Sequence, residues 1–351
     1  MNLSKYDKWY SSFFNIFNPY KIFLYKIDSS IPMFDSTAYK HNFHHRFVYD
    51  KLFIAQSQMV PSGELNTATT FPIFIKPRWG HKTSSSKDCY KIKSREELQP
   101  FLRKKDMMWS SFIDAKESMT DFILINGEIV YQLTYIYSDA QYGFADVWKY
   151  ISSENTPPDE VVEWVKKHMI GYTGPVNVQY RDTIIIEVGL RFARSGMYIE
   201  STNHKPLIDA INQMWVTKTW SVREDITITP FYSFKCWSPS PVICLLPQHA
   251  IDLLMKSSGA MDFYEYYFEP TGTHSTVFFQ FLHKDFKKGM AIKKTIETLV
   301  LLINTIFVIA LMGSLIYHKL WYVVVVLLVL SLLNSLVVIQ SQITHQKQFI
   351  Y

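Results

Sequence analysis

GYTGPVNVQYRDTIIIEVGLRFARSG, Gly171–Gly196, is the stretch on which the fold turns. Pro175–Tyr180 and Ile184–Val188 read as strands, rich in β-branched and aromatic residues, with Arg181-Asp182-Thr183 between them. Gln179 lies on the first strand and Glu187 on the second, so across a short antiparallel turn they can point to the same face. A carboxylate and an amide oxygen so placed suit Mg²⁺ held against substrate phosphates, because that ion takes hard oxygen ligands. Arg191 and Arg194 follow at helix-like i, i+3 spacing and suit a phosphate or a carboxylate.

Working outward, Pro157-Pro158 precede a helix over Asp159–Ile170, with Val161, Val162, Val165 and Met169 on one face and Gly171 just past its end. Phe122–Ile125 and Glu128–Tyr135 flank Asn126-Gly127, a strong hairpin signal. Met107–Ile113 reads as a strand, and Ser94 with Glu97 forms a capping-box pattern for a short helix over Ser94–Lys104. Phe71–Lys76 is a buried strand ending in Lys76. Pro77-Arg78 and a polar loop, Trp79–Asp88, follow it. Such loops wrap phosphates with backbone N–H groups while a lysine supplies a point charge. Lys21–Lys26 looks like a short strand and Pro61–Thr70 like a loop. Residues 230–282 look β-rich, with strands at Val242–Leu246, Phe263–Phe268 and Thr276–Leu282. Helices and strands mix without strict alternation, which argues for α+β rather than a doubly wound parallel sheet.

With 48% hydrophobic and 19% charged residues, the chain is neither disordered nor fibrous. A modest net charge of +5 and the lack of a basic-aromatic motif argue against a nucleic-acid partner, and none is expected. Three cysteines at irregular spacing form no disulfide framework and no zinc pattern, so reduced thiols are expected. His41, His44 and His45 lack an acidic or thiol ligand at a recognisable spacing and read as surface or core histidines. MNLSKYDKWYSSFF has no continuous apolar run before a small-residue cleavage site, so no signal peptide is expected.

Two apolar stretches, about 298–317 and 320–339, are each long enough to span a bilayer and are separated by His318-Lys319. Lys284, Lys287, Lys288, Lys293 and Lys294 precede the first. The pattern predicts a transmembrane helical hairpin with the large domain on the cytoplasmic side, and so a lipid bilayer as partner. Asn304 and Asn334 lie within the spans and are placed to bond each other.

Residues 70–205 resemble the ATP-grasp superfamily, and most of all the ATP-binding domain of the carbamoyl-phosphate synthetase large subunit and related carboxylate–amine ligases. FPIFIKPR matches the strand entering the phosphate loop, and the resemblance puts Lys76 at the phosphates. WSSFIDAKE matches the hinge between subdomains, where Ser111, Phe112 and Ile113 would meet the adenine and Glu117 the ribose. Asp121 keeps a usual acidic spacing. NVQ followed by E-x-G-L-R-x-A-R looks like the family's strand and its E-x-N-P-R-x-S-R, which makes Gln179 and Glu187 metal ligands and sets Arg191 and Arg194 at the phosphates or acyl-phosphate.

Three departures stand out. Gly189 replaces the metal-binding Asn, with Leu190 in place of Pro; GHKTSSS replaces a run of glycines; and Ser110 replaces an acidic residue. Asp182 or water are the candidates to make up the lost ligand. The resemblance implies an α+β ATP-grasp fold, ATP and Mg²⁺ as cofactors, and small-molecule carboxylate and amine (or thiol) substrates joined through an acyl-phosphate. A degenerate module that binds nucleotide, or none, and acts as a membrane-tethered scaffold is the alternative that Gly189 keeps open. Tyr135–Tyr150, with Asp139 and Asp146, falls on the acyl-phosphate or acceptor side. The implied organisation is a short N-terminal segment 1–70, an ATP-grasp core 71–229, a β-rich accessory segment 230–288 and a membrane hairpin 289–351.

Overall fold

A computed structural model describes residues 27–28, 30–82, 88–139, 141–142, 145–222, 226–238, 248–261, 264–270 and 276–316. The chain divides into two units, whose described residues run from 27 to 230 and from 231 to 316.

The first unit opens with helices α1 (Asp35–His41) and α2 (Lys51–Ser57). Strands β1 (Ser62–Glu64), β2 (Ile73–Pro77) and β3 (Tyr90–Ile92), helix α3 (Arg95–Leu98) and strand β4 (Met107–Ser111) follow. The strands form an antiparallel sheet in the order β1-β4-β2-β3. Ile73, Ile75, Ile92, Leu98 and Trp109 make its core. Ser94 caps α3 by accepting from Glu97 N at 3.4 Å, and Glu97 Oε2 accepts from Lys93 N at 2.7 Å. Pro61–Thr70 is not all loop: it holds β1 and a 3-10 turn, Leu65–Thr67. Thr67 fixes that turn by donating to Glu64 O and accepting from Trp109 Nε1.

The second sheet of this unit begins with β5 (Glu117–Ile125) and β6 (Glu128–Tyr137); a separate two-stranded hairpin, β7 (Gln141–Tyr142) and β8 (Ala145–Asp146), precedes β9 (Trp148–Ser152). Helix α4 (Asp159–His168), strands β10 (Gly174–Arg181) and β11 (Ile184–Gly189), and helices α5 (Met197–Ser201) and α6 (Lys205–Thr217) complete it. The hydrogen-bonded order is β11-β10-β5-β6-β9, and the pairs are antiparallel. Asn126 and Gly127 turn β5 into β6 at φ 51° and 88°. Strand alternation then splits the sheet into two faces. Phe122, Leu124, Val176, Val178, Tyr180 and Val188 form one core with Val161, Trp164 and Val165 of α4. Val162 is only partly buried, and Trp164 takes the inward place, its Nε1 donating to Ser57 Oγ at 2.8 Å.

The second unit contains β12 (Phe231–Ser238), helix α7 (Gln248–Ser258), β13 (Tyr264–Pro270), β14 (Thr276–His283) and helix α8 (Phe286–Ile316). Its strands run in the order β12-β14-β13, antiparallel. Helix α7 stands among the strands of this β-rich stretch, with Ile251 and Met255, one turn apart, buried. Val242–Leu246 and Lys21–Lys26 lie outside the described residues, as does Cys244, while Cys89 and Cys236 are free thiols. The start of α8 packs on β12. Gly289 meets the Phe234 ring, Ile292, Ile296 and Val300 are buried, and Glu297 pairs with Lys293 and accepts from Trp237 N.

Among the described residues no helix is long and apolar enough to cross a membrane. The helix nevertheless continues to Ile316, and Leu301, Leu302, Ile306, Val308 and Ile309 along it are each more than half exposed. Asn304 donates to Val300 O at 2.7 Å; Asn334 and the second apolar stretch lie outside the described residues.

Candidate functional site

The face of the second sheet opposite α4 carries chemistry instead of core. Gln179 and Glu187 are directly opposite each other across β10 and β11, with a bulge beside them between Gln179 and Tyr180. Arg181 pairs with Glu117 in register, and Asn177 with Asp121. Alternation therefore sets Glu117, Asp121, Asn177, Gln179, Arg181 and Glu187 on one face. Arg181 Nη2 lies 2.8 Å from Glu117 Oε2, and Gln179 Nε2 donates to Glu117 Oε1. Burial pushes the Glu117 carboxyl up, against the opposing pull of Arg181. Gln179 thus commits its amide nitrogen inside the protein and has its oxygen as the remaining acceptor.

At the Glu187 end two lysines converge. Lys76, at the end of β2, is buried and donates to Ile186 O at 2.9 Å. Lys51, on α2, is also buried, and its Nζ lies 3.2 Å from Glu187 Oε2. Burial, and then the Lys51 charge, bring the Lys76 ammonium down to about 8. Asp50 fixes this corner: its Oδ1 accepts from Leu52 N to cap α2, and its carboxylate takes both Nε and Nη2 of Arg78 at 2.8 and 2.6 Å. A Cβ at Gly80 would stand 3.3 Å from Glu187 Oε1, so the loop after β2 passes close to the carboxylate. Residues 83–87 of that loop lie outside the described residues.

At the other end, Arg191 Nε and Nη2 both donate to Asp35 Oδ2, at 3.1 and 2.8 Å, and Nη1 donates to Asn177 Oδ1 at 3.1 Å. Asn177 in turn donates to Asp121 Oδ1, which also accepts from Ala193 N, while Tyr135 OH donates to Asp121 Oδ2 at 2.6 Å. Burial raises Asp121 to about 6 in spite of these donors. Gly189 has nothing of its own to offer a metal, and a Cβ there would stand 2.7 Å from Asp35 Oδ1. The i, i+3 spacing of Arg191 and Arg194 is not helical. Arg191 precedes a 3-10 turn, Ala193–Gly196, and Arg194 sits within that turn at φ 48°.

The hinge residues are placed between the two sheets of this unit. Ser111 ends β4 and donates its N–H to Pro61 O at 2.8 Å, and Ile113 O accepts from Arg181 at 3.4 Å. The Phe112 ring has the Lys91 ammonium 3.6 Å from its centroid. Asp182 is exposed in the β10–β11 turn at φ 52°, past the last register pair Arg181–Ile184 and too far along the ladder to stand in at Gly189. Asp146 forms a buried pair with Lys149 at 2.7 Å, whereas Asp139 is exposed beside Lys116.

Lys51, Asp50 and Asp35 join this site without having been singled out in the sequence. They fall in a stretch whose aromatic and polar residues show no period. The one local signal is an Asp at a cap position before the apolar run KLFIAQS. Among the described residues no group of three or more His, Cys, Asp or Glu could hold a metal. A divalent cation here would therefore rest on Glu187, amide oxygen and water, a donor set that Mg²⁺ accepts because it dehydrates reluctantly.

No family model matches the chain, and no curated protein matches its sequence. Solved structures do match in fold. An L-amino acid ligase from Bacillus licheniformis is 15% identical, with 72% of this chain and 71% of that chain covered, at a TM-score of 0.51. A carboxyaminoimidazole ribonucleotide synthase from Aspergillus clavatus, complexed with ATP, is 10% identical over 76% of this chain and 80% of that one, at 0.53. The likeness is one of fold, and the chain has the α+β ATP-grasp fold.

Proposed function

We propose that this chain is an ATP-dependent carboxylate–amine (or thiol) ligase, held at a membrane by its C-terminal segment with the main domain facing the cytoplasm. The observation that carries the reading is the opposed pair Gln179 and Glu187 beside the buried cations Lys51 and Lys76, set in an ATP-grasp fold. Bound Mg²⁺ would offset phosphate charge, the main electrostatic task in phosphoryl transfer. Glu187 and the Gln179 amide oxygen would hold it. Lys76 and Lys51 supply fixed positive charge at the phosphates. Arg191, locked by Asp35 and Asn177, presents a preorganised guanidinium toward the transferred group. Ser111, Phe112 and Ile113 form the wall for adenine, and Glu117 the anchor of the Arg181–Gln179 network behind it. The substrates on this reading are a small-molecule carboxylate and an amine or thiol. Membrane attachment is argued from the two apolar stretches, about 298–317 and 320–339, and the lysines before them in the sequence.

Calorimetric titration of the full chain with Mg-ATP, beside Glu187→Gln, tests the site. Affinity at least about tenfold lower in the variant is expected. Equal binding by both chains overturns the assignment. A second reading rests on Gly189 and on the Lys51–Glu187 pair, which places an ammonium at the carboxylate. On that reading the chain is a degenerate, tethered scaffold, and a folded wild type binds no Mg-ATP.

A further inference from the structure

Gly189 leaves a hole in the sheet face, and that hole is filled from outside the strand. Asn177 and Gly189 are register partners, two positions from the Gln179–Glu187 pair, so a side chain at 189 would project on the same face as Glu187. The space it would occupy is taken by Asp35 Oδ1, 2.7 Å from the ideal Cβ position. That oxygen is buried and, among the described residues, has no hydrogen-bond partner. Both Arg191 bonds go to the other oxygen, Oδ2. A buried carboxylate oxygen without a donor is costly, so its presence calls for a partner that the described residues do not supply. Helix α1 begins at Asp35, which makes this oxygen the contribution of an element remote in sequence.

We infer that Asp35 replaces the missing side chain at Gly189, as the second carboxylate ligand of a divalent cation shared with Glu187 and Gln179. The inference rests on the Mg-ATP site proposed above. It adds a charged oxygen where the strand has none. It would also give Arg191 and the cation one carboxylate in common: Oδ2 orients the guanidinium, and Oδ1 would be left for the cation.

The test is electron paramagnetic resonance titration of the full chain with Mn²⁺ in the presence of ADP, with thermal unfolding as a control. Four variants are compared: Asp35→Ala, Gly189→Asn, the two combined, and Glu187→Gln. Asp35→Ala should weaken Mn²⁺ binding at least about tenfold. Gly189→Asn alone should also weaken it, because the new side chain collides with Oδ1. The combined variant should regain most of the lost affinity, since an amide oxygen then stands where the carboxylate stood. A role confined to holding Arg191 predicts no recovery in the combined variant, because Gly189→Asn does not restore the Asp35–Arg191 pair. Full Mn²⁺ affinity in Asp35→Ala, or no recovery in the combined variant, overturns the inference. If Asp35→Ala does not fold, Asp35→Asn serves, and unchanged affinity there overturns it too. Wild-type chain that binds no Mn²⁺ brings down the Mg-ATP site together with the inference. Binding that needs Glu187 but not Asp35 brings down the inference alone.

Discussion

Lys76 keeps its ammonium inside the protein, where burial and the neighbouring Lys51 charge lower it to about 8. A phosphate needs the charged form, so ATP affinity in the wild type should fall as pH rises through about 8. Lys76→Met should bind more weakly at pH 7 and lose that pH step; an unchanged step in the variant places the titrating group elsewhere. The same group enters stability with a definite sign. Its folded pKa lies below the unfolded value of 10.5, so its contribution is fully present above 10.5 and is lost as pH falls through about 8. Asp121 behaves oppositely. Raised to about 6 from 3.8, it favours the fold below 3.8, and that favour is lost as pH rises through about 6. Asp121→Asn should flatten this part of the stability–pH curve. Because the amide sets an NH₂ among three donors, it should also cost roughly 1–3 kcal/mol near pH 5 in denaturant unfolding. Wild-type slope between pH 4 and 6 in the variant would contradict that assignment.

The elements that hold these residues were legible where a local rule dominates. Asn126-Gly127 announces its hairpin, and the spacing of Gln179 and Glu187 around a tight turn sets them face to face, as the register shows. Gly127 is required twice: at φ 88°, and because a Cβ would stand 3.0 Å from the Gly171 nitrogen and the Met169 carbonyl. Gly127→Ala should therefore destabilise the unit by about 1–3 kcal/mol, measured as a shift of the urea midpoint at constant m. Elements whose burial comes from distant partners were not legible. Helix α7 is short and half apolar, and β1 has too few residues to show a period. The site was half legible for the same reason. Strand residues Lys76, Gln179 and Glu187 carry their own pattern. Asp35 and Lys51 become site residues only because the fold lays α1 and α2 against β11, and nothing local marks them.

At the scale of the whole chain, the position of a cut decides whether the proposed membrane anchor can be separated from a folded unit. A chain ending at 288 would lose Gly289 from the Phe234 ring, Ile292, Ile296 and Val300 from the core, and Glu297 from Trp237. Burying three such aliphatic side chains is worth roughly 1.5–3 kcal/mol each, enough to unfold a small unit when lost together. A chain ending at 300 keeps them all and removes the exposed Leu301, Leu302, Ile306, Val308 and Ile309. The chain cut at 300 should unfold cooperatively in a thermal scan and stay with the soluble fraction when floated with anionic vesicles. The full chain should float with the vesicles. The chain cut at 288 should lose the cooperative transition of the second unit while keeping that of the first. Flotation of the chain cut at 300 would assign the attachment to another surface. A cooperative second unit in the chain cut at 288 would show that the start of α8 is not part of its core.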